Sequence, residues 1–222
     1  DSPMTVSSEV TGDIAETYNA RLHHEVDEIS PGEAGAALVG EDFRYTPTRY
    51  FDFKLTDRDE SDPKIWMECS FVSKTYSASA LLKFTVNGTE LPEIYADAIG
   101  TTNNSSYYHG VEGTPRRTFE LSGSDARIGI TYAPQGTTNG AWLNYLTLNY
   151  TRKLRLPSTG EGTLLFWLSN SAARLSGVTD ASRLHVWDVS NVLAPVAMQF
   201  TAEGSGVLWN NPMYGFRSYA AW

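Results

Sequence analysis

The chain has 222 residues, enough for one large or two small domains, and its 41% hydrophobic and 12% aromatic content is that of a packed globular protein, not a disordered one. Its 26 acidic and 17 basic residues leave a net charge of −9, which excludes the basic stripe that a nucleic-acid partner needs. The single cysteine, Cys69, excludes an intramolecular disulfide, and no apolar run reaches the roughly 18 residues of a membrane span.

In chain order, the opening DSPMTVSSEV reads as a mature or trimmed start, compatible with a removed export signal. GDIAETYNARLHHEV carries weak helical signal, and its Thr, Tyr and Val suit a strand as well. RYFDFKLT puts Phe51, Phe53 and Leu55 on one face and Asp52 and Lys54 on the other, the alternation of a half-buried strand. KIWMECSFV does the same, with Ile65, Met67, Cys69 and Phe71 on one side and Trp66, Glu68, Ser70 and Val72 on the other. ALLKFTVNG aligns Leu82, Phe84 and Val86 and ends in Asn87-Gly88, which supplies the positive φ angles of a tight hairpin. RRTFELSG and ARIGITY read as adjacent antiparallel strands. WLNYLTLNYTRKLRL, Trp142 to Leu156, is the longest strand candidate; its apolar residues occupy both parities at first and one parity later, as for a strand covered on both faces at one end. Pro157 to Gly162 is the best boundary, and TLLFWL, RLHVWDV, APVAMQF and GFRSYAAW beyond it are again β-like. The expectation is an all-β chain: a jelly-roll-like antiparallel β-sandwich over residues 1–157, then a smaller β unit over 158–222.

No complete catalytic constellation is legible. A nucleophilic Cys69 would need a nearby base and solvent, yet it shares an apolar strand face, so a buried thiol is expected. His23, Glu25 and Asp27 share one face of a strand, but no second ligand group at metal spacing accompanies them, and His109 and His185 stand alone. Asp57, Asp59, Ser61 and Glu68 fall on the first, third, fifth and twelfth positions of a calcium loop. Asp62 stands where that loop requires glycine, and Pro63 follows, so a solvated acidic loop is expected in place of a calcium site. There is no Gly-x-Ser-x-Gly elbow and no phosphate-binding glycine loop, and no cofactor is implied. The loop NNSSYYHG, with Tyr107 and Tyr108, has the aromatic and polar character of a glycan contact, although such aromatics also fill sandwich cores and loop tips.

Four segments occur in a telling order: HHEVDEISPGEAGAALVGEDF, AWLNYLTLNYTRKLRL, HVWDVSNVLAPV and GFRSYAAW. Together, from His23 to Trp222, they resemble the region ahead of the peptidase domain in gingipain-type cysteine peptidases, above all the sortases of the type IX secretion system of Bacteroidetes. The matching residues are His24, Glu25, Asp27, Gly40, Glu41 and Phe43; Trp142, Leu143 and Tyr145; and Val186, Trp187, Asp188 and Val189. Departures are Asn144 in place of the usual Asp, Ser190-Asn191 in place of Thr-Asp, and a proline delayed to Pro195. The resemblance implies an exported, surface-associated protein of a Gram-negative bacterium, of which this chain is a non-catalytic N-terminal accessory region. Its implied partners are its own downstream peptidase domain and secretion-system proteins. Trp187, Asp188, Trp209, Phe216 and Trp222 would then lie at the junction with that domain and leave an exposed apolar patch here. The alternative is a carbohydrate-binding module of a bacterial surface protein, with Tyr107 and Tyr108 at the glycan.

Overall fold

The computed structural model describes residues 10, 12–31, 38–76, 79–96, 98, 111–133, 140–158, 162–211 and 215–222. Its strands begin with β1 (Ile14–Ala15), β2 (Thr17–Glu25), β3 (Thr48–Lys54), β4 (Lys64–Lys74), β5 (Ala80–Val86), β6 (Thr89–Glu90), β7 (Ile94–Ala96), β8 (Val111–Gly113) and β9 (Arg116–Glu120). They continue with β10 (Asp125–Ala133), β11 (Gly140–Lys153), β12 (Leu164–Leu168), β13 (Ala172–Ser176), β14 (Val186–Asp188), β15 (Val196–Ala197), β16 (Thr201–Glu203), β17 (Gly206–Asn210) and β18 (Arg217–Ala221). Among the described residues the only helical element is the 3₁₀ turn Ala181–Arg183, capped by Asp180, and no helix is long and apolar enough to cross a membrane. The fold is all-β and mostly antiparallel, as the alternation predicts, and GDIAETYNARLHHEV resolves into β1 and β2.

The chain divides into two compact units, neither continuous in sequence. A central unit comprises Arg21–Thr56 and Glu60–Tyr150; a terminal unit takes the residues up to Ala20, Asp57–Asp59 and Thr151–Trp222. The division falls within β2 and β11, which contribute residues to both.

The central unit has one sheet ordered β3-β10-β5-β6, with β7 also on β5, and another ordered β2-β11-β4-β8, with β9 also on β4. Ile65, Met67, Cys69 and Phe71 of β4 are buried, as are Leu82, Phe84 and Val86 of β5 and Ile128, Ile130 and Tyr132 of β10. The β5–β6 hairpin turns at Asn87 and Gly88, with φ of 49° and 85°. Asn87 locks the turn: its amide donates to the Asp125 carbonyl at 2.9 Å, and its Oδ1 accepts from the Arg127 N–H at 2.8 Å.

The register of β11 against β4 shifts between Leu143 and Tyr145. This bulge at Asn144 is the reason the apolar parity of the strand changes along its length. Ahead of it, Ala141, Trp142 and Leu143 are all buried, and the Gly40 and Phe43 N–H groups donate to the Leu143 and Ala141 carbonyls at 2.7 and 2.9 Å. Beyond it, Leu146, Leu148 and Tyr150 point inward while Tyr145 and Asn149 are half-exposed.

The terminal unit has a sheet ordered β1-β13-β17-β16, in which β1 runs parallel to β13, and an antiparallel sheet ordered β12-β18-β14-β15. Trp209 of β17 joins the two: its ring lies 6.2 Å from Phe166 of β12 and 5.8 Å from Tyr219 of β18, and those two stack at 5.4 Å. Burial in this cluster pushes the Tyr219 phenol up to about 12.

Candidate binding surfaces

The outward face of the β2-β11-β4 sheet, with β9 beside β4, carries a polar constellation in the central unit. Register places Asn149 of β11, Trp66 of β4 and Thr118 of β9 in one cross-strand row, and Thr147, Glu68 and Arg116 in the next. Strand alternation aims all six to the same side, because the intervening Ile65, Met67 and Leu148 face the core. Glu68 accepts from the Tyr145 hydroxyl at 2.7 Å and from Arg116 Nε at 2.5 Å. The Tyr145 hydrogen bond, then that of Arg116, holds the Glu68 carboxyl below the usual carboxylate range, and the same bond lifts the Tyr145 phenol. Farther along the face, His23 Nδ1 lies 2.8 Å from Thr147 Oγ1 and its Nε2 lies 2.8 Å from Glu25. Asn144 donates to Ser70 Oγ at 3.1 Å, and Ser70 donates to Glu112 at 2.9 Å. Beside Trp66 lies a groove of about 260 Å³, whose lining includes Trp66, Glu68, Arg116, Arg117, Thr118 and Asn149.

The outward face of the β12-β18-β14-β15 sheet, in the terminal unit, is different in kind. Leu165, Ala220, Trp187 and Ala197 form one cross-strand row, and Trp167 stands beside Ser218. Trp222 and His185 pair through their backbones at 3.0 and 3.1 Å, and their rings lie 5.4 Å apart. Trp222 in turn stacks on Trp187 at 6.4 Å. Leu165 is 64% exposed, Trp222 47% and Trp167 39%.

The residues anticipated from sequence fall in several places. Trp187 and Trp222 lie together on that apolar face, and Phe216, also exposed, precedes β18. Trp209 does not share their exposure: it is 1% exposed, because its neighbours on β12 and β18 enclose it as the centre of the core. Asp188 is buried as well, since β14 turns it inward, where it accepts the Ser190 N–H at 2.9 Å and pairs with Arg217 at 3.4 Å. Cys69 is buried in the core of the central unit, which pushes its thiol well up and leaves it un-ionised. Asp57 pairs with Arg152 at 3.1 Å, the Asp59 N–H donates to the Thr151 carbonyl, and Glu68 is held by Tyr145 and Arg116. Among the described residues no three His, Cys, Asp or Glu side chains form a metal-ligating group. Tyr107, Tyr108 and His109 lie outside the described residues.

The groove around Trp66 was the feature that sequence reasoning missed. Its signal was the outward Trp66-x-Glu68 pair on β4, but Asn149 and Thr118 come from strands whose register the sequence does not display.

No protein-family model matches the chain, and no curated protein matches it. Among solved structures, it is similar to the dimeric latent PorU of Porphyromonas gingivalis, with a TM-score of 0.77 and 18% identity. That match covers 100% of this chain and 22% of the PorU chain, so the present chain spans about a fifth of its length. At this identity the likeness establishes a shared fold. A family 35 carbohydrate-binding module from Clostridium thermocellum aligns over 60% of this chain and 95% of its own, at 14% identity and a TM-score of 0.34. The C-terminal CBM6 of the laminarinase LamC from Zobellia galactanivorans aligns over 58% and 98%, at 11% identity and 0.32. Those two scores are too low to carry a structural argument.

Proposed function

We propose that this chain is a non-catalytic binding module of an exported bacterial surface protein, and that it precedes a gingipain-type peptidase domain docked on the terminal unit. The observation that carries the docking is the apolar face built from Leu165, Trp167, Trp187 and Trp222. Stacked tryptophans on an outward sheet face resemble the aromatic centre of an interface more than a finished surface, since aromatic anchors dominate interface energetics. The ordered motif resemblance and the shared fold along the whole chain support the peptidase as the occupant.

The test is made in the protein extended through the peptidase region. Trp187→Ala combined with Trp222→Ala is expected to weaken docking of the peptidase domain by about tenfold or more, the effect of losing an interface hot spot. Unchanged docking and peptidase activity would refute this assignment.

A second reading, a carbohydrate-binding module, is favoured by the groove of the central unit. There an outward tryptophan stands beside an amide and a hydroxyl, the groups that stack on and hydrogen-bond to a sugar.

A further inference from the structure

We infer that the groove around Trp66 binds an acidic sugar, a hexuronate residue of a glycan, and that Lys64 selects its carboxylate. The inference rests on the carbohydrate-binding reading and adds the site and the ligand class.

Three features of the central unit lead there. The first is a set of unused hydrogen-bonding groups. Among the described residues, the Trp66 indole N–H, the Asn149 amide and the Thr118 hydroxyl have no hydrogen-bond partner, although they stand side by side in one cross-strand row. The row is open to ligand, since Trp66 is 38% exposed and Thr118 is exposed. An amide and a hydroxyl flanking an indole offer hydrogen bonds to neighbouring sugar hydroxyls while the ring receives the C–H face.

The second is a rigid wall. Glu68 is fixed by Tyr145 and Arg116 in the adjacent row, so the carboxylate bounds the groove without competing for the free groups of the Trp66 row. The groove, at about 260 Å³, lies just below the range of pockets that hold drug-sized ligands, a size suited to a single sugar ring with part of a second.

The third is the cation. Lys64 precedes Trp66 by two residues on the same side of β4, and its Nζ lies 5.7 Å from the indole centroid. It is exposed and makes no ion pair among the described residues, in a chain whose net charge is −9. A neutral sugar laid on that face of the indole displaces the ammonium from the ring and leaves it only the solvent-exposed Glu120 opposite it on β9, a weak partner in water. A hexuronate offers it a carboxylate, and the attraction grows as the bound ring excludes water from the pair.

Isothermal titration of the chain with tetragalacturonate, tetramannuronate and cellotetraose tests this. At least one uronate is expected to bind, with about tenfold or greater loss in Trp66→Ala and a several-fold loss in Lys64→Gln. Raising the salt concentration is expected to weaken the wild type more than Lys64→Gln. Far-UV circular dichroism checks that both variants, at outward positions, keep the fold. Cellotetraose bound as tightly as the uronates, and lost with Trp66→Ala, would overturn the acidic-sugar inference and leave the carbohydrate reading standing. Uronate binding indifferent to Trp66→Ala would overturn the site. No binding of any of the three would overturn both.

Discussion

Trp187 and Trp222 of the terminal unit stack on each other beside Ala220 and Leu165, while Trp66 of the central unit stands between Asn149 and Thr118 with Glu68 and Arg116 in the next row. Both sets are outward on antiparallel sheets, yet their company differs. On the terminal unit the neighbours within the sheet are alanine, leucine and another tryptophan, and the face is mainly apolar, with His185 and Ser218 beside the indoles. On the central unit almost every outward neighbour is a donor, an acceptor or a charge. The same residue type thus stands in two settings: one suited to shape-matched apolar burial, the other to stacking with hydrogen bonding. What distinguishes them is the cross-strand row, not the tryptophan.

The largest expected effect separates a core tryptophan from a surface one within the terminal unit. Trp209→Ala removes the ring packed against both Phe166 and Tyr219 and is expected to cost about 3–5 kcal/mol. Trp222→Ala, at 47% exposure, is expected to cost less than about 1 kcal/mol in the isolated chain. Urea unfolding of the two variants measures both, and equal losses would erase the distinction between core and surface tryptophan.

A smaller effect concerns the wall of the groove. The Glu68 carboxyl has a depressed pKa in the folded chain, because its ionised form accepts from Tyr145 and Arg116. Its contribution to stability is therefore fully present above the ordinary value of 4.5 and is lost as the pH falls through the lowered folded value. Glu68→Gln is expected to flatten the stability profile below that pH and to leave it nearly unchanged in shape near neutrality. Thermal unfolding followed between about pH 3 and 7 reads this; an acid limb identical in the two proteins would show that Glu68 is not held as described.

How much of this was legible in the sequence depends on the range of the interaction. The inward and outward sides of β4 follow from strict alternation, so the burial of Ile65, Met67, Cys69 and Phe71 could be read directly. Asn87-Gly88 could be read too, because positive φ at both turn residues restricts the choice of residue. The mixed parity of Trp142 to Leu156 signalled double coverage at one end, but the bulge at Asn144 that produces it becomes visible only in the pairing with β4. Ile14–Ala15 pairing in parallel with Ala172–Ala173 left no local trace, since nothing in either segment specifies a partner so distant in sequence. Trp209 shows the same gap: a tryptophan on a short strand reads alike whether it faces solvent or Phe166 and Tyr219. The Trp66 groove was half legible, with Trp66 and Glu68 on one strand face and the remaining groups supplied by register.

The central claim, that the terminal unit docks a peptidase domain through its tryptophan face, is tested most directly by amide hydrogen exchange. The 222-residue chain is compared with the protein extended through the peptidase region. Slower exchange in β12, β14 and β18 of the longer protein, with β4 and β9 unchanged, is the predicted result. Equal exchange of β12, β14 and β18 in the two proteins would contradict it.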